Sequence, residues 1–279
     1  MLADLVALTK PRITLMVVST GVVGLVLAPG RLDAARELSW GLGLWLLVAG
    51  ANALNMWLER DSDARMARTR NRPLPAGRLR PSTALAFGLG LCGIATALLG
   101  AINAATGALG LVALTAYVAL YTPLKRRTRF ALHVGALAGA MPPLMGWTAV
   151  TGTFGQEGAV LFGILFLWQL PHFQAIALFR AADYARAGLL VGVVAQPSRA
   201  RRALAIETLL LVGASLLPAL TRMAGVGYLV TAAALGAIFL LLAAAGLRPT
   251  AGRPWARNLF AYSMVYLTGL FLALVADRS

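Results

Sequence analysis

The chain has 279 residues, 59% of them hydrophobic and only 13% charged, with a mean hydropathy of +0.76 and a formal net charge of +15. A soluble globular domain carries about a quarter of its residues as Asp, Glu, Lys or Arg, so this balance excludes an ordinary soluble fold. One cysteine, Cys92, lies in an apolar stretch and by itself excludes both a disulfide framework and a cysteine-built metal centre.

A helix that crosses a membrane needs about 20 mostly apolar residues. Nine stretches meet that requirement, at 12–29, 38–58, 82–101, 106–122, 131–150, 158–179, 202–221, 225–246 and 258–276. Backbone N–H and C=O groups in hydrocarbon must be paired locally, and helices do this without leaving an open edge. The expected fold is therefore an all-α integral membrane protein of nine transmembrane helices, one domain over residues 1–279. Of the 25 lysines and arginines, 21 fall in the N-terminal tail and the loops after stretches two, four, six and eight; only Arg31, Arg36, Arg222 and Arg278 fall on the other side. The positive-inside rule places the N-terminus and the basic loops in the cytoplasm. The net charge is then mainly topological, its partner the lipid bilayer; no nucleic-acid module is visible. Ten residues precede the first stretch, with neither a cleavable signal nor an Arg/Ser-rich presequence, which favours a bacterial plasma membrane.

Pro11 can begin the first helix without losing a needed donor. The second stretch carries Asn52 and Asn55 and runs into N-M-W-L-E-R-D-S-D-A-R-M-A-R-T-R-N-R-P-L-P, Asn55 to Pro75. Asn55, Glu59 and Asp63 are spaced four apart, so on a helix they form one stripe that drifts only ~80° end to end, with Asp61 ~160° from its middle. Oxygen-bearing side chains in that array suit a hard cation such as Mg²⁺, which shares its shell with phosphate oxygens. The stripe spans about 12 Å, so it calls for two ions, or for one ion and a bent helix. Arg65, Arg68, Arg70 and Arg72 follow, and guanidinium forks match phosphate oxygens. Acids beside arginines suggest a metal–diphosphate site. The alternative, a solvated membrane-flanking loop, accounts for the charge but not for the in-phase stripe. Pro73, Pro75 and Pro81 prevent a continuous helix beyond it.

The fourth stretch ends in Tyr117, Tyr121, Thr122, Pro123 and Lys125. The fifth holds Gly135, Gly139, Pro142, Pro143, Gly146 and Trp147, where small residues permit close helix approach and the proline pair favours a kink. The sixth reads L-W-Q-L-P-H-F-Q-A-I-A-L-F-R-A-A-D-Y and places Gln169, His172 and Gln174 at membrane depth, where polar groups are expensive and point to function. His172 and Asp183 are eleven apart, ~20° out of phase and about 16 Å apart along a regular helix. A diphosphate at the level of Asp183 and an apolar partner beside His172 fit that spacing; a hydrogen bond from His172 to a neighbouring helix is the other reading. His133 reads as interfacial, and Glu207 as pairing with Arg201 and Arg202. Acid-bearing helices two and six suggest a doubled four-helix unit with a ninth helix appended.

Five motifs now coincide: N-x-x-x-E-x-x-x-D-x-x-M-x-R-T-x-x-R-P-L (Asn55 to Leu74), Y-T-P-L-K-R (Tyr121 to Arg126), G-A-M-P-P-L-M-G-W (Gly139 to Trp147), W-Q-L-P-H-F (Trp168 to Phe173) and D-Y-x-x-A-G (Asp183 to Gly188). In this order they resemble the protoheme IX farnesyltransferases, or haem O synthases, a family of the UbiA superfamily of intramembrane prenyltransferases. The resemblance implies nine helices in a bundle around a central cavity. It also implies transfer of the farnesyl group of farnesyl diphosphate to a vinyl group of haem B, with addition of water, to give haem O and diphosphate. Asn55, Glu59, Asp63 and Asp183 would hold Mg²⁺; Arg68, Arg72 and Lys125 would bind diphosphate. Tyr117, Tyr121 and Tyr184 would face an allylic cation, and His172 with Gln169 would line the haem and prenyl pocket, the iron being one contact open to His172. Haem B is then a substrate rather than a cofactor, and a downstream haem-modifying enzyme a partner. Two features depart from the pattern. Positions four before and after Asp183 are Phe179 and Ala187, so a second carboxylate is missing there, and Leu189-Leu190-Val191 stand where Pro-Met is usual. Competing functions are prenylation of a quinone precursor or other aromatic acceptor, and transport; acids clustered at one rim speak against the latter.

Overall fold

A computed structural model describes residues 1–125, 128, 130–181 and 196–278. Arg126, Arg127, Arg129, Arg186 and the whole D-Y-x-x-A-G segment with the three residues after it, including Asp183 and Tyr184, lie outside the described residues.

The apolar runs fold as helices: α1 (Leu2–Thr9), α2 (Pro11–Leu27), α3 (Ala34–Asp63), α4 (Pro81–Ile102), α5 (Ala104–Thr115), a π-helical turn (Ala116–Tyr121) leading into α6 (Thr122–Leu124), α7 (Ala131–Thr151), α8 (Gln156–Phe179), α9 (Pro197–Leu220), α10 (Val226–Ala245) and α11 (Arg253–Ala276). The β structure among the described residues is one isolated antiparallel bridge, Ala224 to Arg278. Seven helices among the described residues are long and apolar enough to cross a membrane, and eight if α1 and α2, which meet at 41°, make one span. The protein is thus an all-α integral membrane protein.

Several ends follow from local chemistry. α3 begins at Ala34 because the Asp33 side chain accepts from the Arg36 N–H at 2.9 Å, a cap that apolar periodicity does not reveal. Pro11, Pro81 and Pro197 open α2, α4 and α9, where the missing N–H costs nothing. Pro123 has no N–H to give Ala119, and the chain just before it widens into the π turn, where the Thr122 N–H reaches the carbonyl of Tyr117, five residues back. The proline pair Pro142-Pro143 and Pro171 sit inside α7 and α8, each of which runs as one α-helix.

The chain forms two compact units, Met1–Leu124 with Leu137–Phe154, and Lys125–Ala136 with Gly155–Ser279. In the first, α3 is the interior helix, buried along most of its apolar length from Trp40 to Met56, whereas α4 buries only Ala84, Gly88, Cys92, Ala95 and Leu99. Gly24 on α2 and Gly146 on α7 allow main chain to meet main chain: a methyl on Gly24 would overlap the Pro143 carbonyl, and one on Gly146 the Gly21 carbonyl. Trp147 is buried. Trp40 donates to the Met145 carbonyl at 3.3 Å, and Asn103 Nδ2 to the Thr148 and Ala149 carbonyls at 2.8 and 3.2 Å.

In the second unit α8 takes the interior position, buried almost continuously from Trp168 to Ala175. Polar groups there are paired between helices, as hydrocarbon requires: Trp168 Nε1 donates to the Ser263 carbonyl at 2.7 Å, Tyr228 to the Ser215 carbonyl at 2.7 Å, and Tyr266 to the Ser215 hydroxyl at 2.8 Å. Leu209, Leu241 and Leu272 are exposed on α9, α10 and α11, which is the surface a bilayer covers.

Candidate active site

The stripe at the end of α3 is as the four-residue spacing predicts. Asn55, Glu59 and Asp63 are 3%, 6% and 1% exposed, whereas the Asp61 side chain is 79% exposed and lies 3.8 Å from Arg60. Thirty residues of α-helix extend about 45 Å, more than the ~30 Å hydrocarbon core, so the last turns of α3 can carry acids beyond it.

Beyond Asp63 the chain turns back over the helix end. Thr69, itself buried, donates its hydroxyl to the Asp63 carbonyl at 2.8 Å. Leu74 and Leu79 are buried in a cluster with Leu8, Ala53, Met56 and Ala84, and Arg78 Nε donates to Asp4 Oδ1 at 2.9 Å. This loop is anchored, not a solvated flank. Its fold delivers Arg72, whose Nη1 donates to Asp63 Oδ2 at 2.5 Å. Arg65, Arg68 and Arg70 are exposed.

Lys10, one of the basic residues of the N-terminal tail, enters the site. At the junction of α1 and α2 it adopts a left-handed conformation, φ 46°, that costs a side-chain-bearing residue on the order of 1 kcal/mol. Its Nζ lies 3.1 Å from Asn52 Oδ1 and 3.4 Å from Asn55 Oδ1. Asn55 Nδ2 donates to Thr122 Oγ1 at 3.1 Å, and Thr122 in turn donates to the Tyr117 carbonyl at 2.8 Å. Tyr117 and Tyr121 stack with centroids 5.5 Å apart. The first unit thus gathers two carboxylates, two asparagines, Lys10, Arg72 and a tyrosine pair.

The second unit holds the other candidates. Lys125 is partly buried. Gln169 is buried and its Nε2 donates to the carbonyls of Ala136 and Leu165 at 3.1 and 3.2 Å. His172, 7% exposed, packs between Trp168 (4.5 Å) and Phe260 (4.8 Å), with Nδ1 2.8 Å from Ser263 Oγ. It does bond a neighbouring helix, the alternative drawn from the sequence, and Ser263 was not among the sequence candidates. Glu207 corrects another expectation. Its Oε2 accepts from Gln174 Nε2, while Arg201 Nη1 donates to the Arg248 carbonyl at 3.3 Å. Arg201 and Arg202 stand six and five residues before Glu207, ~240° and ~140° around the helix, so they point elsewhere. His133 is exposed, as an interfacial residue would be.

Among the described residues no three His, Cys, Asp or Glu side chains gather to hold a metal ion. The stripe offers two carboxylates and an amide oxygen. This all-oxygen set fits a hard cation that takes the rest of its ligands from substrate phosphates and water.

The chain matches the UbiA prenyltransferase family over residues 17–267 and belongs to it. Its fold is shared with solved structures: a UbiA homolog from Archaeoglobus fulgidus bound to GPP and Mg²⁺ superposes with a TM-score of 0.67 at 13% identity, over 98% of this chain and 99% of that one. A digeranylgeranylglyceryl phosphate synthase gives 0.87 at 16% identity, over 99% and 98%. Within the family the chain is closely related to protoheme IX farnesyltransferases. It is 49% identical to that of Myxococcus xanthus (strain DK1622) over 99% of this chain and 95% of the relative. It is also 49% identical to that of Anaeromyxobacter dehalogenans (strain 2CP-C), over 99% and 94%.

Proposed function

We infer that this protein is a protoheme IX farnesyltransferase. It transfers the farnesyl group of farnesyl diphosphate to a vinyl group of haem B, with addition of water, and yields haem O and diphosphate. The observation that carries this reading is the 49% identity to proteins of that activity along nearly the full length of both chains. It extends through both units, in keeping with one prenyltransferase domain over residues 1–279.

In this reading Asn55, Glu59 and Asp63 would hold Mg²⁺ on the diphosphate, and Asp183, by its motif, would be a further ligand. The ion, when bound, neutralises the charge that builds on the leaving oxygens. The chain's own cations assist: Arg72, already beside Asp63, with Arg68 and Lys125 receive the departing diphosphate, as preorganised donors do for developing anions. The stacked faces of Tyr117 and Tyr121, with Tyr184, stabilise the allylic cation through cation–π attraction. His172 and its aromatic neighbours, with Gln169 three residues earlier on α8, take the porphyrin.

Nine spans are proposed: the seven long apolar helices of the described residues, the joined α1–α2 pair, and the 21-residue α7. The basic loops and the N-terminus then face the cytoplasm of a bacterial inner membrane. A haem-modifying enzyme downstream would take up the product. The test is to express the chain in membranes supplied with haem B, Mg²⁺ and farnesyl diphosphate. A haem heavier by farnesyl plus water is expected. A prenylated quinone precursor in its place would transfer the chain to another acceptor class.

A further inference from the structure

We infer that Ser263 is a positioning residue that fixes His172 as its Nδ1–H tautomer, leaving Nε2 as an electron-pair donor for the iron of the porphyrin substrate. The second half rests on the haem reading given above; the first rests on geometry alone.

A serine hydroxyl has one proton. Ser263 Oγ lies 2.6 Å from the carbonyl oxygen of Phe260, three residues back on α11, and a carbonyl can only accept. The hydroxyl proton therefore goes to Phe260. Toward His172, 2.8 Å away, the serine oxygen has only lone pairs to offer, so His172 Nδ1 must be the donor. A neutral imidazole carries one N–H. With that proton on Nδ1, Nε2 keeps its lone pair.

The ring plane is set by the same residue. Trp168, which stacks on His172 at 4.5 Å and 27°, donates its indole N–H to the Ser263 carbonyl at 2.7 Å. Ser263 thus holds two rings of α8, one through its main chain and one through its side chain. Phe260 at 4.8 Å and Phe173 at 5.5 Å close around the imidazole. Partners of this kind fix the tautomer of metal-ligating histidines, and their loss typically costs 10–100-fold in metal affinity. The two sequence readings of His172 are then one arrangement, with Nδ1 serving the fold and Nε2 the substrate.

The chain has only 2 histidines, so the test can be direct. The full chain, ¹⁵N-labelled at histidine and carrying His133→Gln, is placed in lipid vesicles, and the imidazole nitrogens are read by solid-state NMR. Wild-type Ser263 should show neutral His172 protonated at Nδ1. Ser263→Ala should lose that preference, and Ser263→Thr should restore it. Zinc protoporphyrin IX, a diamagnetic stand-in for haem B, should shift Nε2 and leave Nδ1 protonated. Its dissociation constant should rise about tenfold or more in Ser263→Ala and return toward wild type in Ser263→Thr. An Nε2–H tautomer in the wild type, or one unchanged by Ser263→Ala, overturns the inference. The Nδ1–H tautomer with an Nε2 signal indifferent to the metalloporphyrin overturns the iron-donor role. Formation of haem O in the same vesicles reports on the proposed function separately.

Discussion

Arg72 is bonded to Asp63, the aspartate side chain 2% exposed and the arginine side chain 22%. Of four arginines that follow the acid stripe, this is the one the loop folds onto it. The pair holds the end of α3 and keeps a cation beside an oxygen donor proposed to meet Mg²⁺.

Removing that guanidinium leaves a buried carboxylate without its charged partner. Arg72→Ala should destabilise the protein by roughly 1.5–3 kcal/mol, the range for a hydrogen bond to a charged group, and reduce farnesyl transfer severely. Arg72→Lys, which keeps charge but not the fork, should retain stability better than activity. Thermal unfolding in detergent alongside haem O formation separates the two effects. If both variants behave like wild type, the pair is incidental.

Asp61 serves as an internal control for the stripe. Asn55→Ala, Glu59→Ala and Asp63→Ala should each lower turnover by about 10²-fold or more, the scale seen when a preorganised charge-stabilising group is lost. Asp61→Asn, at an exposed position, should keep most of the activity. An equal loss in well-folded Asp61→Asn protein would refute the division of the acids.

The contact of α2 with α7 depends on two residues lacking side chains. Gly24→Ala and Gly146→Ala would each drive a methyl into main-chain atoms of the other helix, and backbone cannot yield as a side-chain tip can. Both should lower the melting temperature and the folded yield. Gly41→Ala and Gly90→Ala, with nothing near the added methyl, should not. Equal tolerance at all four positions would disprove the close packing.

The proposed topology puts Ser62 and Ser198 on the same, inner face. Single cysteines at either position in a Cys92→Ala background should resist a membrane-impermeant thiol reagent in intact cells and react once the inner face is opened. Labelling from outside at either site would break the nine-span arrangement.

Much of this was readable from the residues in order. The apolar runs located the helices because the cost of unpaired backbone in hydrocarbon acts on every residue of a span. The burial of Asn55, Glu59 and Asp63 and the exposure of Asp61 follow from helical phase, which the nine residues from Asn55 to Asp63 carry by themselves. The motifs from Asn55 to Gly188 likewise sufficed for the family. What needed the folded chain was the choice of partners. Lys10 reaches Asn55 across 45 positions, Ser263 reaches His172 across 91, and Gln174 takes Glu207 from the nearby arginines across 33. No local period encodes such pairs. They arise when packed helices bring polar groups together in a medium without water, where each group must bond to whichever neighbour the packing places within reach.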